Sequence, residues 1–150
     1  MPYGVNGWVE ILWDWTLEEE IQQWCSFINL NRFCFYGDEV TNRLFGLTKR
    51  PCKNPYFADR GVPKDCSKHV AEEVKSNEKF IKQYGEGNFG HTWATWSEIE
   101  PCLAELKQAR DLPRWMPIFT LLQELCSERT NPHRMILQPE WIRFVVWGNW

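Results

Sequence analysis

The segment 85–98, with the sequence GEGNFGHTWATWSE, constrains the fold more than any other part of the chain. Gly85 follows an amphipathic helical pattern and takes the position that favours a left-handed helix end. The residues from His91 to Ala94 are expected to be extended. Thr95-Trp96-Ser97-Glu98 then has the form of a capping box, which begins another helix. Because Pro101 follows closely, a start at Ser97 with Glu100 as its partner is the alternative. This single segment therefore predicts a helix, a strand and a second helix in direct succession.

The other patterns also alternate between strands and helices. Residues 8–13 (WVEILW) and 141–147 (WIRFVVW) are rich in β-branched and aromatic types and predict the first and last strands, with a short strand at 33–36. Helical spacing predicts helices over 17–30, 38–47 and 67–84, and Pro117 is expected at the first position of a further helix. The Pro-rich residues 48–67 predict a long loop. Together these elements predict an α+β fold with a small mixed or antiparallel sheet covered by several helices.

The composition is that of one ordinary globular domain spanning residues 1–150. With 17 basic and 20 acidic residues the net charge is −3, so the basic excess that drives binding to phosphate backbones is missing. Duplex nucleic acid is therefore not an expected partner. The sequence has no run of 18 apolar residues and no signal-peptide pattern at its start, so we expect no membrane association and a cytoplasmic location.

The cysteines and histidines do not form a metal-binding pattern. No Cys-x-x-Cys pair occurs, and we expect reduced thiols in a cytoplasmic chain of this size. Cys66 and His69 offer two zinc ligands, whereas zinc sites need three or four protein ligands. We therefore expect neither a metal nor a cofactor. The six cysteines are Cys25, Cys34, Cys52, Cys66, Cys102 and Cys126.

Polar and aromatic side chains around the glycine-rich segment predict a ligand pocket. Its glycines would let the backbone approach a ligand, and the indole faces of Trp93 and Trp96 could stack on a base. The hydroxyls of Thr92 and Thr95 would supply polar contacts. His91 could donate to a phosphate or act as an acid or base, and a histidine bonded to the backbone of a half-buried strand is an equally weighted interpretation.

Arg43, Arg60 and Arg143 are the candidates for a fork that binds phosphate. For each of them the alternative is a structural or solvated cation, which arginine provides more often. Among the remaining tryptophans, periodic apolar faces predict a core position for Trp13, Trp24 and Trp147. Partial exposure is expected near the ends of elements, at Trp8, Trp15, Trp115 and Trp150.

The chain contains none of the common catalytic signatures, such as a nucleophile elbow, a phosphate loop or a zinc-protease motif. Residues 85–90 match Gly-x-Gly-x-x-Gly in spacing. They follow a predicted helix and precede a strand, which is the reverse of the order in dinucleotide-binding folds. The sequence therefore predicts no catalytic residues of a known type.

Several segments together resemble a family of small uncharacterised proteins encoded by bacteriophages and prophages. The resemblance rests on an aromatic first strand and on residues 43–47 (RLFGL), 60–63 (RGVP), 90–98 (GHTWATWSE) and 142–147 (IRFVVW), in the same order along most of the chain. Members of the family commonly carry His-Ser-His-Ser or a similar motif. This chain retains only His91, so the resemblance implies no two-histidine site, and it implies no established activity.

Three functions are compatible with these features. The leading expectation is a non-catalytic phage accessory protein that overcomes bacterial defence by sequestering a nucleotide-derived ligand, such as a cyclic nucleotide or an ADP-ribose-type signal, in the host cytoplasm. The second is an interaction protein that docks a host or phage protein through exposed tryptophan and arginine, the residues that dominate interface hot spots. The third is a nucleotide- or sugar-processing enzyme that uses His91. Assembly into a homo-oligomer is left open.

Overall fold

The computed structural model describes residues 4–14, 22–33, 35–36, 38–48, 53–85, 87–127 and 137–149, with the backbone alone at 13, 14 and 22. Their core is an antiparallel sheet with the strand order β2-β1-β5-β4, in which β3 pairs with β1. The α+β prediction is confirmed, and the sheet is antiparallel rather than mixed. The strands are β1 (Gly4–Asp14), β2 (Gln22–Asn29), β3 (Phe35–Tyr36), β4 (Phe89–Thr95) and β5 (Ile142–Asn149).

Four α-helices and three 3-10 segments surround the sheet in the described part of the chain. No helix there is long and apolar enough to cross a membrane. The helices are α1 (Glu39–Phe45), α2 (Lys68–Tyr84), α3 (Trp96–Ile99) and α4 (Leu112–Leu125). The 3-10 segments are Leu30–Phe33, Glu100–Leu106 and Pro139–Trp141.

Local capping signals set the helix ends where the sequence predicts them. The Ser67 hydroxyl accepts a hydrogen bond from the Val70 N–H at the start of α2, and Gly85 ends that helix at φ 74°. Thr95 and Glu98 form the reciprocal capping box that begins α3. These predictions are confirmed because a cap depends on residues only three positions apart.

The helix predicted over residues 17–30 is wrong for its described portion, since residues 22–29 form β2. A bulge changes the register between the pairs Val9↔Ile28 and Glu10↔Ser26. As a result, Ile28 pairs with a residue of one sheet face, whereas Ser26 and Trp24 pair with residues of the other. The helical spacing of Trp24 and Ile28 is therefore coincidental. Residues 17–21 of this prediction lie outside the described residues.

The expected start of the last helix is also wrong, because α4 begins at Leu112 and contains Pro117 in its interior. Pro113 takes the favoured first-turn position instead. Pro117 removes one backbone hydrogen bond from an exposed turn. The buried side of α4 outweighs this loss with Trp115, Ile118, Phe119 and Leu122.

The two faces of the sheet pack against different layers. The first, called here the core face, meets α1, α3 and α4 and includes Ala94, Phe144 and Val146. Trp115 lies in this core with 1% exposure and stacks on Phe35 with ring centroids 3.8 Å apart, so its expected partial exposure is wrong. Most buried apolar residues of the described chain belong to this cluster, so the core face is the main source of stability.

The second face of the sheet, called here the α2 face, lies under α2. Val145 and Trp147 pack there against Val70, and Trp8 and Trp93 are partly buried beside them. The core positions predicted for Trp147 and Trp24 are confirmed, and so is the partial exposure of Trp8. The side chain of Trp13, and the whole of Trp15 and Trp150, lie outside the described residues.

Candidate functional site: the α2 face of the sheet

Strand register arranges the residues of the α2 face in rows. One row runs across β4, β5, β1 and β2 through Thr95, Arg143, Glu10 and Ser26. The next row contains Trp93, Val145 and Trp8. His91 and Trp147 lie further along the same face, because side chains alternate between faces with a period of two. The sequence-predicted residues on this face are therefore His91, Trp93, Thr95 and Arg143.

His91 contacts Trp147 in a half-buried position. Their ring centroids are 5.5 Å apart, and the ring planes are inclined by 30°. Both the imidazole Nε2 and the indole Nε1 are buried and have no hydrogen-bond partner among the described residues. Burial lowers the pKa of His91 and outweighs the opposing effect of the Glu78 carboxylate. At neutral pH this imidazole is therefore uncharged.

Arg60 lies over the aromatic side chains beside β4. Its guanidinium carbon is 5.2 Å from the centre of the Trp93 ring and 4.9 Å from that of Phe57. Arg60 Nη1 is 3.0 Å from each Glu98 carboxylate oxygen. Within the described part of the chain, no atom accepts a hydrogen bond from Nε or Nη2. Phe57, Arg60, His91, Trp93 and Glu98 are called the β4 patch below.

The Glu98 carboxylate pairs with this guanidinium and also caps α3. Burial would raise the pKa of Glu98, but its hydrogen bonds to the Thr95 backbone and Arg60 and the charge of Arg60 together lower it. Thr95 also receives the Glu98 N–H at its hydroxyl oxygen. Thr95 is thus a helix cap that positions Glu98.

The loop segment 57–61, which contains Arg60, is hydrogen-bonded to the outer edge of β4. The Gly61 N–H donates to the His91 carbonyl at 2.9 Å, and the Arg60 N–H donates to the Thr92 hydroxyl at 3.3 Å. The Thr92 hydroxyl in turn donates to the Phe57 carbonyl. Asp59 adopts φ 57°, an unusual conformation for a residue other than glycine. These contacts fix Arg60 in place and give buried Thr92 a structural role.

Trp96 lies on the opposite side of the sheet from Trp93. It is 0% exposed and packs in the main core, with its ring centroid 5.5 Å from that of Phe119. Alternation along β4 explains this position, because Ala94 and Trp96 point toward the core whereas His91 and Trp93 do not. The indole of Trp96 therefore has no face on which a ligand could stack.

The three candidate arginines do not converge. Arg43 belongs to α1 in the core-face layer, where Nη1 donates to the Glu105 carbonyl at 2.9 Å. Arg143 lies four residues before Trp147 on β5, which corresponds to about 13 Å along the strand. Of the three, only Arg60 lies beside Trp93, and it belongs to the loop whose Gly61 N–H donates to His91 on β4.

Arg143 has its own buried polar centre, which sequence reasoning did not assemble. Its Nε is 2.8 Å from a Glu10 oxygen, and its Nη1 is 2.9 Å from an Asp65 oxygen. The guanidinium carbon is 3.8 Å from the centre of the Trp24 ring. One signal was present in the sequence: Glu10 and Arg143 are lone charges inside apolar strand patterns, and buried charges require partners.

Packing within the protein accounts for the glycines of segment 85–98 without a ligand. Gly85 ends α2, and Gly90 has φ 66°. A Cβ atom at Gly90 would lie 2.8 Å from Leu47 Cδ2. The close approach at this position is thus between β4 and a core side chain.

The described residues offer no other group of side chains that is as well suited to binding a ligand. No group of three or more metal-ligating side chains occurs among them. Cys25, Cys66, Cys102 and Cys126 are free, and burial and the Glu10 charge raise the pKa of Cys66. Open cavities of about 590 and 380 Å³ lie along α4 and at its start, and none of the sequence-predicted site residues lines either one.

Comparison with protein-family models, curated proteins and solved structures gives no match. The function is therefore inferred from the geometry of the α2 face and from the resemblance to small phage proteins.

Proposed function

We propose that the protein binds a small ligand carrying an oxyanion and a flat aromatic group at the β4 patch, and that it sequesters this ligand without transforming it. The observation that supports the proposal is that Arg60 is held in place but has unused hydrogen-bond donors. Trp93 and Glu98 hold its guanidinium in position, yet Nε and Nη2 have no acceptor in the described part of the chain. Two donors on a fixed, partly exposed guanidinium match a phosphate or carboxylate.

The aromatic part of the ligand follows from the surroundings of Arg60. Bases stack on indole rings and on guanidinium planes, and such a contact contributes about 1 to 3 kcal/mol. The half-buried Trp93 ring and the guanidinium above it offer both kinds of surface. A nucleotide combines a base with a phosphate, so we propose a nucleotide-derived ligand.

Binding without turnover is proposed because His91 lacks a catalytic arrangement. In the part of the chain that the structure describes, its side chain has no hydrogen bond to a hydroxyl, thiol or carboxylate. A general base needs a nucleophile within reach and a group that orients it. A neutral imidazole beside an indole fits a polar contact with the ligand better.

The resemblance to small bacteriophage proteins supports a biological role for this binding. We propose that the protein acts in the host cytoplasm and removes a cyclic nucleotide or ADP-ribose-type signal of bacterial defence. This role needs only tight binding, since a sequestered signal is inactive whether or not it is cleaved.

The proposal is tested by thermal shift and calorimetry with cyclic nucleotides, ADP-ribose, inorganic pyrophosphate and neutral oligosaccharides. A ligand present at a hundred times its Kd should stabilise the fold by about 2.7 kcal/mol. Arg60→Gln should weaken nucleotide binding about tenfold, which corresponds to one charged hydrogen bond. Arg43→Gln is the matched control, because Arg43 also pairs with a glutamate but lies in the core-face layer.

Equal effects of the two arginine variants would contradict the proposal, as would a response to oligosaccharides alone. Heat release of the bound nucleotide in intact form separates sequestration from catalysis. A cleaved product formed with more than one turnover per protein would replace the binding role with an enzymatic one.

A second candidate function, docking to a protein, is favoured by an aromatic pair on the solvent side of α2. Phe80 and Tyr84 are 53% and 60% exposed, and their ring centroids are 4.5 Å apart. Large exposed aromatics are common interface anchors. If this function holds, the double variant Phe80→Gln, Tyr84→Gln should lose a partner captured by crosslinking in host cells and should keep nucleotide affinity. Retention of that partner by the double variant would reject this surface.

A further inference from the structure

We propose that the Arg143 centre is a second binding site, specific for a carboxylate, which the side chain of Asp65 fills in the absence of a ligand. The site lies on the α2 face but is separate from the β4 patch. It therefore does not depend on the function proposed above.

The guanidinium of Arg143 is buried but only partly used. Its side chain is 4% exposed, Nε donates to Glu10, and Nη1 donates to Asp65. Nη2 is buried, and no atom in the described parts of the chain accepts a hydrogen bond from it. A buried donor without a partner is uncommon in folded proteins, so Nη2 is available to a further acceptor.

The two carboxylates at this centre differ in how firmly they are held. Glu10 is 0% exposed and also accepts the Ser67 N–H at 2.5 Å, so it belongs to the core. The Asp65 side chain is 69% exposed and comes from a surface loop. Asp65 is therefore the carboxylate that can exchange with one from solution.

Asp65 does not make the paired contact that an arginine fork allows. One of its oxygens accepts from Arg143 Nη1, whereas the other accepts from Trp24 Nε1 at 3.1 Å. A carboxylate that is free of the loop can bridge Nη1 and Nη2 together, which is the preferred geometry of the pair. An external carboxylate thus satisfies the donor that Asp65 leaves unused.

The charge balance selects the class of anion. Glu10, Asp65 and Arg143 together carry one net negative charge, so a further anion is disfavoured unless Asp65 leaves. Replacing Asp65 with another monoanionic carboxylate keeps that balance. A phosphate dianion would add one more negative charge beside buried Glu10, which has no second cation bonded to it in the described residues. The site therefore favours carboxylate over phosphate.

The experiment uses Asp65→Asn, which removes the internal carboxylate with little change in size. Acetate is titrated against the variant and the wild type at constant ionic strength, with chloride as the replacing salt. Tryptophan fluorescence and melting temperature report binding. Acetate should bind Asp65→Asn at least about tenfold more tightly than it binds the wild type. Phosphate should show no comparable gain.

Asp59→Asn is the matched control, because Asp59 is an exposed residue of the same loop and asparagine tolerates its positive φ. It changes the net charge equally and should leave acetate affinity at the wild-type value. Equal acetate responses of the two variants, or no saturable response of Asp65→Asn, would overturn the proposal.

Trp24→Phe provides an independent test. It removes the indole N–H that holds Asp65 and keeps an aromatic ring over the guanidinium. Its acetate affinity should exceed that of the wild type, and an unchanged affinity would count against the site. Short peptides with free or amidated C-termini identify the source of the carboxylate. Tighter binding of the peptide with the free C-terminus indicates a peptide ligand. If both peptides bind equally weakly while acetate binds tightly, the ligand is a small metabolite.

Discussion

The two faces of the sheet are built from different chemistry. The core face packs aromatic rings against one another, and Trp96, Trp115 and Phe119 are buried there with Phe144. The α2 face instead buries the Glu10–Arg143 ion pair. Among the described residues it also leaves polar atoms of His91, Arg143 and Trp147 without partners, whereas the core face leaves one such atom, the Trp96 indole Nε1. Buried charges and unpaired donors stabilise a fold less than apolar packing of the same volume. We infer that the α2 face keeps these groups for binding, whereas the core face supplies stability.

The largest expected effect is on the core face. Phe144→Ala should lower the free energy of unfolding by about 3 to 5 kcal/mol, because truncation of a buried aromatic leaves a cavity. Trp93→Phe, at a half-buried position on the other face, should change the stability far less and weaken ligand binding. Urea unfolding of both variants measures the difference. If Trp93→Phe is as destabilising as Phe144→Ala, the division between the faces is wrong.

The next effect concerns the buried ion pair. Arg143→Met should cost about 3 kcal/mol, because it leaves the Glu10 carboxylate buried without its cation. The double variant Glu10→Leu, Arg143→Met should be more stable than the Arg143 single variant, since no charge then remains buried. Chemical denaturation of the two variants and the wild type tests this order. Additive losses would show that the pair contributes packing rather than charge compensation.

A smaller effect should appear as a pH dependence of stability. Burial keeps the pKa of His91 in the folded state below its ordinary value of 6.5. As the pH falls below about 6.5, the unfolded chain therefore takes up a proton that the folded protein does not, and stability declines toward the folded-state pKa. His91→Gln should remove this part of the decline. Identical pH profiles of the variant and wild type between pH 7 and 5 would contradict burial of His91.

Asp65 should account for a further loss of stability at lower pH. Burial alone would raise the pKa of Asp65, but the hydrogen bond and charge of Arg143 lower it. Its contribution is present above the unfolded pKa near 3.9 and is lost as the pH falls through the folded value. Asp65→Asn should therefore flatten the stability curve below about pH 4, with Asp59→Asn as the control. If both variants lose the decrease in stability below about pH 4, the decrease is caused by the overall net charge rather than by the Asp65–Arg143 contact.

Local features of the fold could be predicted from the sequence, and features that depend on distant pairing could not. The caps at Ser67 and Thr95 are confirmed because each depends on a span of three residues. Strand β2 was missed because its faces are set by a bulge opposite Val9 and Glu10. Whether Arg43, Arg60 and Arg143 converge depends on the positions of a helix, a loop and a strand, which no local pattern encodes.

Part of the candidate site could have been predicted more sharply. Once residues 91–94 are expected to be extended, alternation places His91 and Trp93 on one face and Thr92 on the other. Trp96 follows the core side of that alternation, and the structure buries it completely. By contrast, Arg60 precedes Trp93 by 33 residues in the chain. A contact between residues this far apart depends on the path of the loop, so it could not be predicted from local sequence patterns.

The most direct test of the binding role of the α2 face is Glu98→Gln in the β4 patch. This variant removes the carboxylate charge beside Arg60 and keeps an oxygen that can accept its hydrogen bond. Stability should decrease, because Glu98 also caps α3 and its lowered pKa reflects a favourable charge. Affinity for a nucleotide should increase, because the phosphate no longer competes with that charge. Calorimetric titration and thermal unfolding of the same sample decide the matter: lower stability with tighter binding agrees with the account, and lower stability with unchanged or weaker binding contradicts it.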